Sequence, residues 1–202
     1  MRIAILVEGE TEQAFRPVLI EFLSRHLADR MPKVKFFSYD GRIPKAEKLR
    51  RLVENLRQGK DAFDAVIALT DVYTGTADFK DGTDAKAKMR EWVGPNDRFF
   101  PHVAQYDFEA WLLPFWPTIQ KLAGHNRNGP PGAPERVNHQ DPPSRRIREI
   151  FRLGTCRDDY VKPRDALRIL RDNNLDVAVE ACSELKAFLN TIISLSGGNP
   201  LP

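Results

Sequence analysis

The sequence predicts an α/β domain built on a mainly parallel sheet, and three observations predict it. Short extended runs at 3–7, 34–39 and 65–69 are separated by stretches whose apolar residues recur at helical spacing. Two of the runs, Ile3-Ala4-Ile5-Leu6-Val7 and Ala65-Val66-Ile67-Ala68-Leu69, contain no polar residue, as strands covered on both faces do. Each is followed closely by an acid, Glu8 or Asp71. Strands alternating with helices at this spacing imply βαβ units with right-handed crossovers, so that all C-terminal strand ends lie along one edge.

After the first run, Phe15, Val18, Leu19, Phe22, Leu23 and Leu27 mark a helix that ends near Arg30 and the Met31-Pro32 pair. Thr11 and Glu12 give it an acidic first turn, favourable against the helix dipole. Residues 34–39 form the second strand, closed by Asp40-Gly41; Leu49, Leu52, Val53 and Leu56 mark a second helix that stops at Gly59. Residues 72–84 are rich in Thr, Gly, Asp and Lys and form a long polar loop after the third strand. A short helix at 85–92 ends at Gly94-Pro95, and 99–105 is the fourth strand, followed by Asp107-Phe108-Glu109-Ala110-Trp111-Leu112-Leu113. The stretch 124–143, rich in Pro, Gly, Asn and His without apolar periodicity, is expected to be a long loop or partly disordered insertion. Helices are expected at 144–151, at 163–171 with Pro163 near its start, and at 175–195 with a break near Cys182-Ser183. The chain thus divides into an α/β core (1–123), the Pro/Gly-rich loop (124–143), a helical C-terminal region packed on the core (144–195) and a tail (196–202).

Composition bounds the function. A chain of 202 residues buries one sizeable core, and 42% hydrophobic with 29% charged residues is ordinary for a globular domain. No apolar run approaches the roughly 20 residues of a membrane span, and the first residues do not form a signal peptide, so a cytoplasmic protein is expected. Cys156 and Cys182 form neither a CxxC pair nor a Cys/His cluster, and are read as buried or semi-buried thiols. His26, His102, His125 and His139 form no metal-binding pair and are read as surface residues. There is no GxGxxG fingerprint and no GxxxxGK[ST] phosphate loop, which argues against a nucleotide-hydrolysing engine in this chain. The net charge is only +3, but Arg145, Arg146, Arg148, Arg152, Arg157, Lys162, Arg164, Arg168 and Arg171 concentrate positive charge in the last third.

The strand-end acids carry the chemistry. In a parallel sheet, ligands bind in the crevice outside the carboxyl ends of the strands. Glu8 follows strand one, Asp71 strand three, and Asp107 and Glu109 strand four, so the topology delivers them to one place. Carboxylates gathered in one cleft repel, and a bound cation relieves the repulsion; hard oxygen donors select Mg²⁺ or Mn²⁺ over zinc. Gly9 lets the backbone turn tightly, and the following helix points its N-terminus into the same crevice, which suits a phosphate.

Val7-Glu8-Gly9-Glu10-Thr11-Glu12-Gln13-Ala14-Phe15 resembles the opening motif of Toprim-like proteins, in which a strand ends in a glutamate followed by glycine. More specifically, the chain resembles a prokaryotic family, domain of unknown function 4276. The match runs through Asp71-Val72-Tyr73, Asp107-Phe108-Glu109-Ala110-Trp111-Leu112, Pro143-Ser144-Arg145-Arg146, Tyr160-Val161-Lys162 and a last helix rooted at Cys182. A more distant similarity is to the Toprim domains of overcoming-lysogenisation-defect nucleases. The resemblance implies a Toprim-like four-stranded sheet flanked by helices, a first-motif glutamate used for acid/base work or metal binding, and an Asp-x-Asp that holds Mg²⁺. Asp71 matches the first aspartate of that pair, but Tyr73 stands at the second, so Glu109 replaces it or the site binds one metal.

Two functions are expected. The leading one is a Mg²⁺- or Mn²⁺-dependent phosphodiesterase acting on nucleic acid. In it Glu8, Asp71 and Glu109 are the catalytic and metal-binding residues, with Asp107 a further ligand. Arg145, Arg146, Arg148 and Lys162 contact the nucleic-acid backbone. The resemblance adds action in phage defence beside an ATPase like the structural-maintenance-of-chromosomes type. The other is a non-catalytic adaptor or toxin-like subunit of such an ATPase complex, with a degenerate metal cleft, which Tyr73 favours.

Overall fold

The computed structural model describes residues 1–39, 41–72, 78–137, 141–156 and 159–202. Tyr73, Asp40, His139 and Arg157 lie outside the described residues. Four strands, β1 (Arg2–Val7), β2 (Lys33–Ser38), β3 (Ala65–Asp71) and β4 (Phe99–Ala104), form one sheet in the order β2-β1-β3-β4, and every neighbouring pair is parallel. The helices α1 (Glu10–Leu27), α2 (Ala46–Leu56) and α3 (Gly82–Val93) supply the three crossovers. The chain moves from β1 outward to β2, then returns past β1 to β3, so the switch point lies between β1 and β3.

The alternation of side chains along the strands divides the core in two. Ile3, Ile5 and Val7 of β1 face a layer containing α1 and the whole C-terminal helical set; Ala4 and Leu6 face α2 and α3. β3 does the same, with Ile67 and Leu69 on one side and Val66 and Ala68 on the other. This two-sided burial is why β1 and β3 read as unbroken apolar runs. Edge strand β2 is half-covered, and its exposed Lys33 and Lys35 alternate with buried Val34 and Phe36.

Beyond β4 the chain enters a 3-10 segment (Phe108–Phe115), then α4 (Trp116–Ala123), α5 (Pro143–Leu153), α6 (Lys162–Arg171), α7 (Leu175–Ala181) and α8 (Ser183–Leu195). The 3-10 segment is pinned by Trp111, which packs against Phe15, Phe108 and Phe188 with ring centroids 6.1, 5.2 and 6.1 Å away. Such aromatic pairs contribute about 0.5–1.5 kcal/mol each beyond area burial. α6 lies along α1, and both helices begin beside the carboxyl ends of the strands. The break expected near Cys182 is present, between α7 and α8.

Two expectations are corrected, for His102 and for Cys156. Within the 124–143 loop, a 3-10 turn at Pro134–Arg136 buries Glu135, whose carboxylate accepts from Trp111 Nε1 (3.2 Å), Ser183 Oγ (3.0 Å) and the Glu184 backbone N–H (3.1 Å). Glu135 therefore caps α8, satisfying helix-end donors from a segment whose own sequence shows no periodicity. His102 is buried rather than on the surface, because it projects from β4 under α8, where its Nε2 meets Thr191 Oγ1 at 2.9 Å. Cys156 is exposed while Cys182 is buried.

Candidate functional site

The strand ends open onto a cavity of 420 Å³ lined by Glu8, Gly9, Glu12, Asp71, Glu109 and Lys162 among others. Glu8 leaves β1 directly and is buried, with Thr70 Oγ1 donating to its Oε1. Asp71 is the last residue of β3; it is half-buried as a residue, yet its Oδ1 is shielded from solvent and has no hydrogen-bond partner among the described residues. Asp107 and Glu109 are carried in by the turn after β4, and Glu109 is 0% exposed. Glu12 joins them from the first turn of α1. It stands three residues after Gly9, is buried, and its carboxylate lies beside the Gly9 turn at the cavity.

Electrostatics record the crowding. Burial, reinforced by the charge of Glu12, raises Glu8 to about 7, against the pull of the Thr70 hydroxyl and the Asp71 backbone N–H. Burial followed by Glu12, Glu8, Asp107 and Glu109 holds Asp71 well above the carboxylate range. Asp107 is pushed up to about 7 by burial and by Glu109. Glu12 is raised by burial, with Glu109 adding to the effect. Burial favours the neutral amine of Lys162, but Glu109, Asp107 and Asp71 outweigh it and hold its proton more firmly than usual. Five carboxylates thus share one negative field, and Lys162 answers it from the cavity wall.

The contacts sort the acids into roles. Lys162 Nζ lies 3.2 Å from Glu109 Oε1 and 3.3 Å from Oε2, while the Tyr160 hydroxyl donates to Oε1 at 3.4 Å. Asp107 turns aside: its Oδ2 accepts from the Ser144 backbone N–H at 3.1 Å, in the first turn of α5, where Pro143 has no N–H to offer. Its Oδ1 is buried without a partner. The structure therefore brings Glu8, Asp71, Glu109 and Lys162 into one cavity, with Asp107 directly behind them. Arg145, Arg146 and Arg148 do not line it. They lie on α5 and pair with acids, Arg145 and Arg146 with Asp141 at 3.6 and 2.6 Å and Arg148 with Asp159 at 3.8 Å.

Three members of the site were not singled out from sequence. Glu12 does more than compensate the helix dipole: it follows Glu8 by four positions and Gly9 by three, a spacing that returns it to the strand end. Thr70 interrupts the apolar run just before Asp71, a polar residue where a buried strand has no other use for one. Tyr160 precedes Lys162 by two, but no local pattern marks it as a partner of Glu109.

Among the described residues, two buried carboxylate oxygens, Asp71 Oδ1 and Asp107 Oδ1, have no partner, and such hard oxygen donors are the type a divalent cation takes. The arrangement is not yet closed: among the described residues, no three His, Cys, Asp or Glu side chains stand together in a geometry that could hold a metal ion.

The family model described as Domain of unknown function (DUF4276) matches residues 7–193. No curated protein matches the sequence significantly. Among solved structures, the C-terminal region of the Burkholderia pseudomallei OLD protein is similar at a TM-score of 0.41 and 16% identity, over 85% of this chain and 97% of that one. The C-terminal region of the Xanthomonas campestris pv. campestris OLD protein is similar at a TM-score of 0.34 and 16% identity, over 89% and 95% of the two chains.

Proposed function

The chain belongs to the DUF4276 family, a domain of unknown function, and from that premise we propose that it is a Toprim-like, Mg²⁺- or Mn²⁺-dependent phosphodiesterase acting on nucleic acid. The observation that carries the reading is the convergence of Glu8, Glu12, Asp71, Asp107 and Glu109 at the carboxyl edge of the sheet, beside a cavity that Lys162 also lines. Glu8, Asp71 and Glu109 would hold the ion, and Glu12 adds a fourth carboxylate. Asp107, with one oxygen committed to α5, has only Oδ1 to offer. When bound, the cation would supply positive charge against the phosphoryl oxygens and acidify water.

The chain's own residues do the positioning. Thr70 fixes the Glu8 carboxylate, the Gly9 turn brings the first amides of α1 to the cavity, and Lys162 offers an ammonium to a phosphate. Arg145, Arg146 and Arg148 would contact the nucleic-acid backbone beyond the cavity, from the helix whose first turn Asp107 holds. Cytoplasmic action in phage defence, with an ATPase of the structural-maintenance-of-chromosomes type as partner, completes the reading. It agrees with the finding that, among the described residues, no helix is long and apolar enough to cross a membrane.

A second reading, the non-catalytic adaptor or toxin-like subunit, is favoured by the unassembled ligand set. Incubation with DNA and RNA in the presence of Mg²⁺, Mn²⁺ or chelator separates the two. Cleavage that needs the metal and disappears in Glu8→Gln supports the phosphodiesterase; cation binding without cleavage supports the adaptor.

A further inference from the structure

We propose that Lys162 is a built-in counter-cation that keeps Glu109 out of the metal-ligand set until a divalent ion displaces it, so that cation binding precedes and prepares phosphate binding. The inference rests on the metal-dependent reading above and adds an order of events to it.

Both oxygens of Glu109 are already engaged, by Lys162 Nζ at 3.2 and 3.3 Å and by the Tyr160 hydroxyl at 3.4 Å, and Glu109 has no exposure to water. Asp71 Oδ1 and Asp107 Oδ1, by contrast, have no partner. The described residues therefore contain carboxylates with an oxygen to offer and one that is already taken. A metal that recruits Glu109 meets the Lys162 ammonium on the same carboxylate, and the two positive charges repel, so the ion exchanges with the ammonium.

Lys162 is built to leave. It is the first residue of α6, its side chain is 39% exposed, and the neighbouring Pro163 lines the cavity. The helix start is anchored independently, because Asp165 Oδ2 accepts from the Val161 backbone N–H at 2.8 Å. The flexible four-carbon stem can swing from Glu109 toward the cavity mouth while α6 stays in place. There the ammonium meets the side from which an anionic substrate enters, so a substrate phosphate gains its lysine only after the cation has arrived.

The test uses the full chain and Mn²⁺ as probe. Mn²⁺ binding is followed by electron paramagnetic resonance for the wild type, Lys162→Met, Lys162→Arg and, as a control for net charge, Lys45→Met, whose ammonium sits on Asp78 instead. Lys162→Met should bind Mn²⁺ at least about tenfold more tightly, because the competitor is gone, whereas Lys45→Met should change affinity by less than about threefold. Lys162→Arg, with a two-pronged grip on Glu109, should weaken Mn²⁺ binding, and it serves alone if Lys162→Met does not fold. Crystals grown with Mn²⁺ should show Lys162 Nζ withdrawn from Glu109. Mn²⁺ seated in the cleft with Lys162 still paired to Glu109, or unchanged affinity in both Lys162 variants, overturns the exchange and leaves the metal reading standing. No Mn²⁺ binding in any form removes both.

Discussion

Asp71→Asn should make the metal-free protein more stable, although it alters a residue at the centre of the candidate site. Asp71 has a shielded Oδ1 without a partner, and burial together with Glu12, Glu8, Asp107 and Glu109 raises its proton affinity well above normal. A group whose folded pKa is raised contributes stability below its unfolded value, and that stability is lost as pH rises through the folded pKa. The neutral amide removes this loss and also relieves part of the repulsion on Glu8, which stands at about 7 against an ordinary 4.5. Each unit of such mutual repulsion is worth about 1.36 kcal/mol. Removing one member of the cluster should recover about 2 kcal/mol at pH 8, or about 4–8 °C in Tm for a domain of this size. At pH 5 the gain should be smaller than at pH 8, because the loss accrues only as pH rises above the ordinary carboxyl value of 3.8, and below that value it should vanish. Thermal unfolding with chelator at both pH values reads the effect. A loss of stability at pH 8, or a gain of equal size at pH 5, would mean that Asp71 is a structural cap and that the repulsive cluster does not exist.

Saturating Mg²⁺ or Mn²⁺ should raise the wild-type Tm by roughly 5–10 °C, from about 2.7 kcal/mol at a hundredfold excess over Kd, and Asp71→Asn should respond less. Glu135→Ala should cost about 2–4 kcal/mol, read as a lower midpoint in urea, because it strands the Trp111 N–H and the first amides of α8. Neutralising Arg145, Arg146 and Arg148 together should weaken nucleic-acid binding across sequences and flatten its salt dependence; an unchanged slope places the binding surface elsewhere. Acid should weaken the fold near His102, which burial, with Lys86 and Arg90, depresses to about 4. Its neutral form is stabilising above about 6.5, and that contribution is lost as pH falls toward 4, so His102→Gln should flatten the acid limb of a Tm–pH curve.

What was legible in the sequence follows from where the determinants of each element lie. The strands β1 and β3 were readable because a strand buried on both faces must be apolar at every position, and Ile3 to Val7 and Ala65 to Leu69 are. The break between α7 and α8 falls at Cys182-Ser183 as expected, although the buried positions Leu175, Ala178, Cys182, Leu185, Leu189 and Ile192 keep one helical phase across it. Glu135 was not readable, because its role is fixed by donors on Trp111, Ser183 and Glu184, between 24 and 49 residues away. Cap acceptors supplied from a distance leave no local pattern. His102 was misplaced for a related reason: its burial comes from α8 lying over β4, a tertiary event that strand alternation does not encode.

The site divides along the same line. Glu8, Asp71 and Glu109 could be placed together because strand ends are brought to one edge by topology alone, which alternating elements already imply. Their partners could not. Thr70 and Glu12 are local enough to carry a signal, a polar break in an apolar run and an acid at the third position of a helix. Lys162, 53 residues beyond Glu109, reaches it only because α6 packs along α1 with both helices beginning at the cavity. Asp107 shows how adjacency in sequence misleads: two residues from Glu109, it shares the same turn, yet its Oδ2 serves the first turn of α5. Strand order decides which acids meet; the docking of the C-terminal helices decides which of them is already balanced by a cation and which still carries an oxygen without a partner.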